Sequence, residues 1–217
     1  MSRKITVLNR DRAYDGFFKI DRYRLRQEAD GVSFDLTREL FERGHAAALL
    51  PYDPVLDAVL VVEEFRIGNL AAGLPEAQWF SPGPIAGMID TGETPVEAAI
   101  REGAEEAGLS LNEADLFSQI TILPSPGGSS ETVTLILALA DLSGVRPGVH
   151  GEGSEAEMTW TRILRREALL DLIGTHPTTG HLTALAMRLE MMRLSGQIPE
   201  MGWRKGPETV SAPDPEI

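Results

Sequence analysis

The amino-acid sequence predicts an α+β protein in which a sheet is sandwiched between helices. Two observations support this. Segments with strand-like alternation and segments with helical periodicity follow one another in mixed order. Apolar residues make up 42% of the 217 residues, which is typical of a globular core. The length suits one domain, or one domain with a small extension.

Charge and cysteine content narrow the classes of function. The formal net charge is −13 and no basic patch is visible, so we expect no nucleic-acid partner. The chain has no cysteine, which excludes disulfides and cysteine-bound metals and fits a cytoplasmic enzyme. No apolar run reaches transmembrane length, and the N-terminus lacks the apolar core of a signal peptide. We therefore expect no membrane partner and a cytoplasmic location.

The first 43 residues predict a small antiparallel β unit. Residues 17–26 and 32–41 alternate apolar and polar side chains, as strands do, and Gly31 lies at the turn between them. One side of so small a unit remains apolar and uncovered. We expect a second subunit to cover it, in a homodimer.

The sequence predicts that the main domain comprises residues 44–198 and that residues 199–217 form a mobile tail. The strands expected in the domain are residues 46–51, 59–62, 117–123, 132–140 and 158–163. Amphipathic helices are expected at residues 166–173 and 179–195. Residues 68–84 are rich in Ala, Gly and Pro and are expected to form a loop.

A further helix is predicted over residues 95–107. Thr94 and Glu97 form a capping-box pattern around Pro95, and Gly108 is a typical helix stop. Small apolar residues lie along one stripe of this helix. Gly103 lies within that stripe, where the missing side chain lets a helix pack closely on a sheet.

Glu102, Glu105 and Glu106 fall within about 100° of one another around this helix. A solvated acidic face is the usual explanation of such a cluster. Here Arg101 is the only basic residue between Glu93 and Leu109, so the carboxylates have few cations to pair with. Carboxylate oxygens suit Mg²⁺ or Mn²⁺, and the sequence therefore predicts a site for a divalent cation.

The segment from Gly87 to Leu109 resembles the Nudix box, G-x5-E-x7-R-E-U-x-E-E-x-G-U, where U is apolar. The matching residues are Gly87, Glu93, Arg101, Glu102, Glu105, Glu106, Gly108 and Leu109. Gly103 departs from the pattern at a packing position. The segments FERGHAA at 41–47, FR at 65–66, AG at 86–87 and SPGG at 125–128 are similar to the ADP-ribose pyrophosphatase branch.

The resemblance implies a Nudix α/β/α sandwich and metal-dependent hydrolysis of the diphosphate bond of ADP-ribose or a related nucleoside diphosphate sugar. The products would be AMP, or another nucleoside monophosphate, and a sugar phosphate. The implied cofactor is Mg²⁺, with Mn²⁺ as a substitute. The implied metal ligands are the carbonyl of Ala86 and the side chains of Glu102, Glu106 and Glu157. The implied catalytic residues are Glu105, Arg101 and Glu155.

Several of these implied roles have alternatives. Glu155 is the candidate base, but a solvated acidic loop explains it as well. Arg101 is expected to pair with Glu93 and to orient more than to react. The implied substrate contacts are Arg38 and Glu39, reaching across a dimer, together with Arg66, Ser125, Gly127 and Gly128. Phe41 is expected either to pack on the adenine or to belong to the apolar core.

One departure from the branch affects activity. Relatives often carry a Glu four residues before the box glycine, where this chain has Gly83. The alternative function is therefore a catalytically silent Nudix module that binds a nucleotide sugar as a sensor. A third option is an enzyme for dinucleoside polyphosphates or coenzyme A, but the sequence lacks the extra motifs of those enzymes. The four histidines show no metal-ligand spacing and are expected to be structural or on the surface.

Overall fold

The computed structural model describes residues 3–150 and 158–201. Three strands form a separate antiparallel sheet at the N-terminus, in the order β1-β2-β3. They are β1 (Arg3–Asp15), β2 (Lys19–Ala29) and β3 (Val32–Glu42). The sequence predicted β2 and β3 but missed β1, which pairs with β2 along most of its length.

A buried carboxylate stabilises this small sheet. Asp21 on β2 is 1% exposed and accepts hydrogen bonds from Arg12 and Arg10 on β1. The hydrogen bond from Arg12, followed by that from Arg10, lowers the pKa of Asp21. Arg10 also reaches Glu42 at the end of β3, at 3.5 Å, so that one charge network connects all three strands.

The main sheet has eight strands. Six follow the order β10-β11-β5-β4-β9-β8, while β6 pairs with β5 and β7 pairs with β4. The strands are β4 (Ala46–Asp53), β5 (Ala58–Phe65), β6 (Phe80–Gly83), β7 (Ile85–Met88), β8 (Leu116–Ile122), β9 (Val133–Leu139), β10 (Val149–His150) and β11 (Thr159–Arg165). Strands β4 and β9 are parallel, and the other pairs are antiparallel.

The prediction of a loop over residues 68–84 was wrong in part. The segment contains most of helix α1 (Ile67–Ala71), a 3-10 turn at Glu76–Gln78 and the whole of β6. Strand β6 contains Pro82 and Gly83, which disfavour strands in general. It forms because β5 presents a free edge there, with Val62 opposite Gly83 and Phe65 opposite Phe80.

Helices cover both faces of the main sheet, as predicted. On one face, α2 (Pro95–Ala107) packs over a core that includes Leu49, Leu60 and Ile136. On the other face, α4 (Gly180–Leu194) packs over Leu50, Val61 and Leu137. Helix α3 (Arg166–Thr175) adds Leu169 to the second core. No helix in the described part of the chain is long and apolar enough to cross a membrane.

Helix α2 begins and ends where the sequence predicts. The capping box of Thr94 and Glu97 is formed in both directions, and Gly108 ends the helix with φ 61°. Gly103 packs directly on the sheet, since a Cβ at this position would lie 3.2 Å from the Leu49 side chain. The buried face of α2 includes Ala98 and Glu106 as well as Gly103, whereas Val96 and Ile100 are only half-buried.

The far end of the sheet is held by a buried arginine that the sequence did not reveal. Arg166 donates to Asp57 at 2.9 Å and to Glu190 at 3.0 Å, and its side chain is 9% exposed. Tyr52 donates to the same Asp57 at 2.9 Å. Burial raises the pKa of Tyr52 to about 12. The network joins the β4–β5 turn to α3 and α4.

Replacing Arg166 should lower stability strongly, because Asp57 and Glu190 would lose the cation between them. We expect Arg166→Met to cost about 3–5 kcal/mol, which corresponds to a fall of about 10 °C in Tm. Thermal unfolding followed by circular dichroism measures this. The control is Arg165→Met at an exposed neighbour, which we expect to cost less than about 1 kcal/mol. Equal costs for the two variants would contradict the role of the network.

Candidate active site

The candidate site lies at the end of the main sheet where β4 begins. Ala46 at the start of β4 is flanked by Met88 at the end of β7 and by Val133 at the start of β9. The segments that follow β7 and precede β9 therefore meet at this end of the sheet. Strand β5 runs antiparallel to β4, so its last residues also reach this end.

One arginine organises the box. Arg101 donates to both carboxylate oxygens of Glu93, at 2.9 and 3.0 Å, and to the carbonyl oxygen of Met88 at 3.0 Å. Its Nη1 donates to Glu102 at 2.7 Å and to Glu105 at 3.1 Å. The predicted pair of Arg101 with Glu93 is thus present, and it fastens the box loop to α2.

Hydrogen bonding in this cluster shifts its titration. The bonds from Arg101 lower the pKa of Glu93, and the backbone N–H of Asp90 adds to this effect. The bond to Glu93 is also the main reason why the pKa of Arg101 is raised. Both groups are therefore charged at neutral pH. The box carboxylates were expected to have few cations to pair with, and the structure shows that the single guanidinium of Arg101 binds three of them.

Gly87 is required by the position of Glu102. A Cβ at residue 87 would overlap the carboxylate of Glu102, which fills the space that any larger residue would need. Gly87 follows Ala86 on β7, so the Glu102 carboxylate lies beside the backbone of the predicted ligand Ala86. The box glycine thus allows the close approach of a carboxylate, and it is not needed for a positive backbone angle φ.

The remaining box carboxylates differ in exposure. Glu106 is 7% exposed, whereas Glu105 is exposed and bound to Arg101. Within residues 3–150 and 158–201, no three acidic or histidine side chains are grouped closely enough to hold a metal ion. Glu155 and Glu157 lie outside the described residues. Glu102 and Glu106 nevertheless offer hard oxygen donors on one helix, which fits Mg²⁺ or Mn²⁺.

The predicted substrate loop is docked onto the N-terminal unit. The backbone N–H of Phe41 donates to the carbonyl of Gly128 at 2.8 Å, and that of Ser130 donates to the carbonyl of Phe41 at 3.2 Å. Ser130 also donates to Glu42 at 2.5 Å. Ser125 and Gly127 are exposed on this loop. Phe41 itself is half-buried against the ring of Phe18, at 5.1 Å between centroids.

Arg38 and Glu39 lie on the exposed part of β3. Arg38 donates to the carbonyl of Thr37 at 2.9 Å, and Glu39 lies 3.7 Å from Arg22 on β2. These contacts all lie within the N-terminal sheet. A role of Arg38 and Glu39 toward substrate therefore stays a prediction.

Arg66, at the end of β5, has partners that the sequence did not reveal. Glu64 lies 2.5 Å from its guanidinium, and Gly83 lies beside it. Next to Arg66 is an aromatic group of Phe65, Phe80 and Trp160, with centroid distances of 5.8 and 5.7 Å. Within this group, Phe80 is 44% exposed.

Two histidines have structural contacts near this end of the sheet. His45 Nδ1 lies 2.8 Å from the hydroxyl of Thr132, which ties the start of β4 to the segment before β9. Burial lowers the pKa of His181 on α4. Both fit the expectation that the histidines have structural roles.

A model described as the NUDIX domain matches residues 42–175. The ADP-ribose pyrophosphatase of Escherichia coli (strain K12) is 38% identical over 165 residues, which are 75% of this chain and 76% of that protein. The chain belongs to the NUDIX family. The predicted family is thereby confirmed, and so is the prediction of a Nudix enzyme.

Two further Nudix comparisons broaden this result. The GDP-mannose pyrophosphatase of Yersinia enterocolitica is 28% identical over 139 residues, which are 64% of this chain and 70% of that protein. A solved structure described as an ADP compounds hydrolase has a TM-score of 0.66 and 22% identity, over 90% of this chain and 97% of that one. The structure confirms the Nudix fold. The relatives are named as enzymes, which does not support a catalytically silent module.

We predict that Gly87→Ala weakens metal binding, because the new Cβ displaces the carboxylate of Glu102. Mn²⁺ affinity measured by electron paramagnetic resonance should fall about 10- to 100-fold. Gly174→Ala is the control, since a Cβ at this position on α3 has open space and should leave the affinity unchanged. Unaltered Mn²⁺ binding in a folded Gly87→Ala protein would show that Glu102 is not a ligand.

Proposed function

We propose that the chain hydrolyses the diphosphate bond of ADP-ribose, or of a related nucleoside diphosphate sugar, to AMP (or another nucleoside monophosphate) and a sugar phosphate. The observation that carries the proposal is the position of the Glu102 carboxylate in the space beside Gly87. This position and the predicted substrate loop lie at the same end of the sheet. The similarity to ADP-ribose pyrophosphatases, which is higher than that to the GDP-mannose enzyme, supports ADP-ribose as the first substrate to test.

The proposed cofactor is Mg²⁺, with Mn²⁺ as a substitute. Glu102, Glu106 and the carbonyl of Ala86 would hold it, and Glu157 stays a predicted fourth ligand outside the described residues. When bound, a divalent cation neutralises the diphosphate and lowers the pKa of an attacking water. The donor set of carboxylate and carbonyl oxygens fits such a cation.

The chain's own residues supply positioning. Arg101 fixes the Glu102 carboxylate at 2.7 Å and holds Glu105 at 3.1 Å, so that both side chains keep one orientation on α2. Arg66 is the proposed cation for the phosphates. The backbone at Ser125, Gly127 and Gly128 is the proposed contact with the rest of the substrate. Glu155 as base stays a prediction.

Replacing Glu106 tests the activity. We expect Glu106→Gln to lower the kcat for AMP release from ADP-ribose by about 100-fold or more. The reason is that the glutamine amide has nearly the same shape as the carboxylate but lacks the negative charge of the proposed metal ligand. Chelation by EDTA should abolish the wild-type rate, and Mg²⁺ should restore it. Glu167→Gln, at an exposed position on α3, is the control and should keep the full rate.

Two results would contradict this proposal. The first is turnover that persists in EDTA, and the second is a Glu106→Gln enzyme as fast as Glu167→Gln. If a panel of diphosphates shows faster cleavage of another nucleoside diphosphate sugar, that compound becomes the proposed substrate, and the proposed reaction remains the same. The predictions of a cytoplasmic location and of no nucleic-acid or membrane partner stay predictions.

A homodimer is part of the proposal. Ile5 and Phe34 face each other across Gln27, and Val7 lies in register with Leu25 and Leu36. Residues directly opposite one another point to the same face of a sheet, so these apolar side chains form one patch. Ile5, Val7 and Phe34 are 55%, 57% and 50% exposed, which leaves the patch for another molecule. A second copy is the proposed occupant, because Arg38 and Glu39 on the same sheet would then contribute to its active site.

A charge in the patch should separate the subunits. We expect the wild type to sediment as two chains, and Phe34→Glu to sediment as one chain with slower ADP-ribose hydrolysis, because the shared site is lost. Val55→Glu is the control, since Val55 is 64% exposed in the turn between β4 and β5, outside the patch. A wild type that sediments as one chain would overturn the dimer without touching the proposed reaction.

A further inference from the structure

The guanidinium of Arg66 occupies the space above Gly83. A Cβ at residue 83 would lie 2.5 Å from Nη2 of Arg66 and 3.7 Å from its Cζ. Gly83 is buried, and its φ lies outside the positive range in which glycine is favoured. The residue is therefore a glycine to make room for the arginine, and not because the backbone requires it.

Glu64 is the carboxylate that holds this guanidinium. Its Oε1 lies 2.5 Å from the same Nη2 that approaches Gly83, and the two side chains are 18% and 28% exposed. Glu64 lies near the end of β5, and Arg66 follows the strand with an extended backbone (φ −114°, ψ 104°). The two residues are two apart along extended chain, so both side chains point to one face. An ion pair that is partly shielded from water is screened less by salt than one on the surface.

Arg66 keeps donors for a further anion. Its Nε is buried and has no acceptor among the described residues. A guanidinium has five N–H donors, and a single carboxylate oxygen satisfies only part of them. Gly83 and Gly87 are four residues apart, so their Cα atoms are at most about 14 Å apart. Arg66 lies beside the first of these glycines and the Glu102 carboxylate beside the second, so one extended diphosphate sugar can reach both.

We propose that Glu64 is a positioning residue, which holds the guanidinium of Arg66 across Gly83 and directs its remaining donors to the phosphates or the terminal sugar of the substrate. This inference rests on the proposed function. It also accounts for the absence of a glutamate at position 83. A side chain at that position would take the place of the guanidinium, and β5 provides the carboxylate instead.

The test compares Glu64→Gln with Glu63→Gln. Glu63 lies on the opposite face of β5 and pairs with Arg162 at 2.6 Å, which makes it a matched control. We expect Glu64→Gln to raise the KM for ADP-ribose about 10-fold with kcat nearly unchanged, because the loss concerns substrate binding. Glu63→Gln should change neither constant. Thermal unfolding should give both variants a similar Tm.

A double-mutant cycle makes the test specific. Glu64→Gln and Gly83→Ala should each raise KM in the wild-type background, since each disturbs Arg66. Both should have no effect in an Arg66→Ala background, where no guanidinium is left to place. The inference is overturned if either change still raises KM without Arg66, or if Glu64→Gln lowers kcat and leaves KM unchanged.

The same cycle separates this inference from the proposed function. Calorimetry with the non-hydrolysable α,β-methylene analogue of ADP-ribose gives the affinity of each variant without turnover. A wild type that binds the analogue but releases no AMP contradicts the proposed hydrolysis, while the cycle still decides the role of Glu64. If the wild type hydrolyses ADP-ribose and the cycle shows additive effects, only the role of Glu64 is overturned.

Discussion

The candidate active site depends on the hydrogen bonds and ion pairs of one residue, Arg101. Its guanidinium binds the box loop through Glu93 and the Met88 carbonyl, and binds α2 through Glu102 and Glu105. Without this cation, the three carboxylates that it binds would repel one another. With it, the Glu102 carboxylate is pressed into the space beside Gly87. The position of the proposed metal ligand is therefore set by an arginine that need not touch the substrate.

The cation also changes how the acidic cluster should be understood. A lack of basic residues in the sequence suggested that a metal ion must neutralise these carboxylates. The structure shows that Arg101 neutralises part of the cluster, because one guanidinium donates in several directions. Glu106 differs from the others, since it is buried. The proposal of a divalent cation therefore rests on Glu102 and Glu106 and not on the whole cluster.

Local signals were sufficient to predict α2 and insufficient elsewhere. Residues close together in the sequence determine the capping box, the glycine stop and the close packing of Gly103. The structure confirms each of these three features. Strand β1 was missed because its side chains are mostly charged or exposed, and its pairing with β2 gives it order. Strand β6 was missed because Pro82 and Gly83 disfavour strands. The partners of Arg166 come from other elements, and Arg66 lies over Gly83 of another strand, so only the folded chain reveals these contacts.

The segment from Gly83 to Gly87 shows how the two halves of the site are related. Each glycine leaves room for a charged group that another element brings in, a guanidinium at Gly83 and a carboxylate at Gly87. The two groups have opposite charge, as a substrate with both phosphates and a bound cation requires. Both are also held by an ion pair of their own, Arg66 by Glu64 and Glu102 by Arg101. A charged group that is fixed before binding loses less conformational freedom when the substrate arrives. The short β6–β7 segment thus lacks a side chain at two positions, and it is this lack that leaves room for both the guanidinium and the carboxylate of the proposed site.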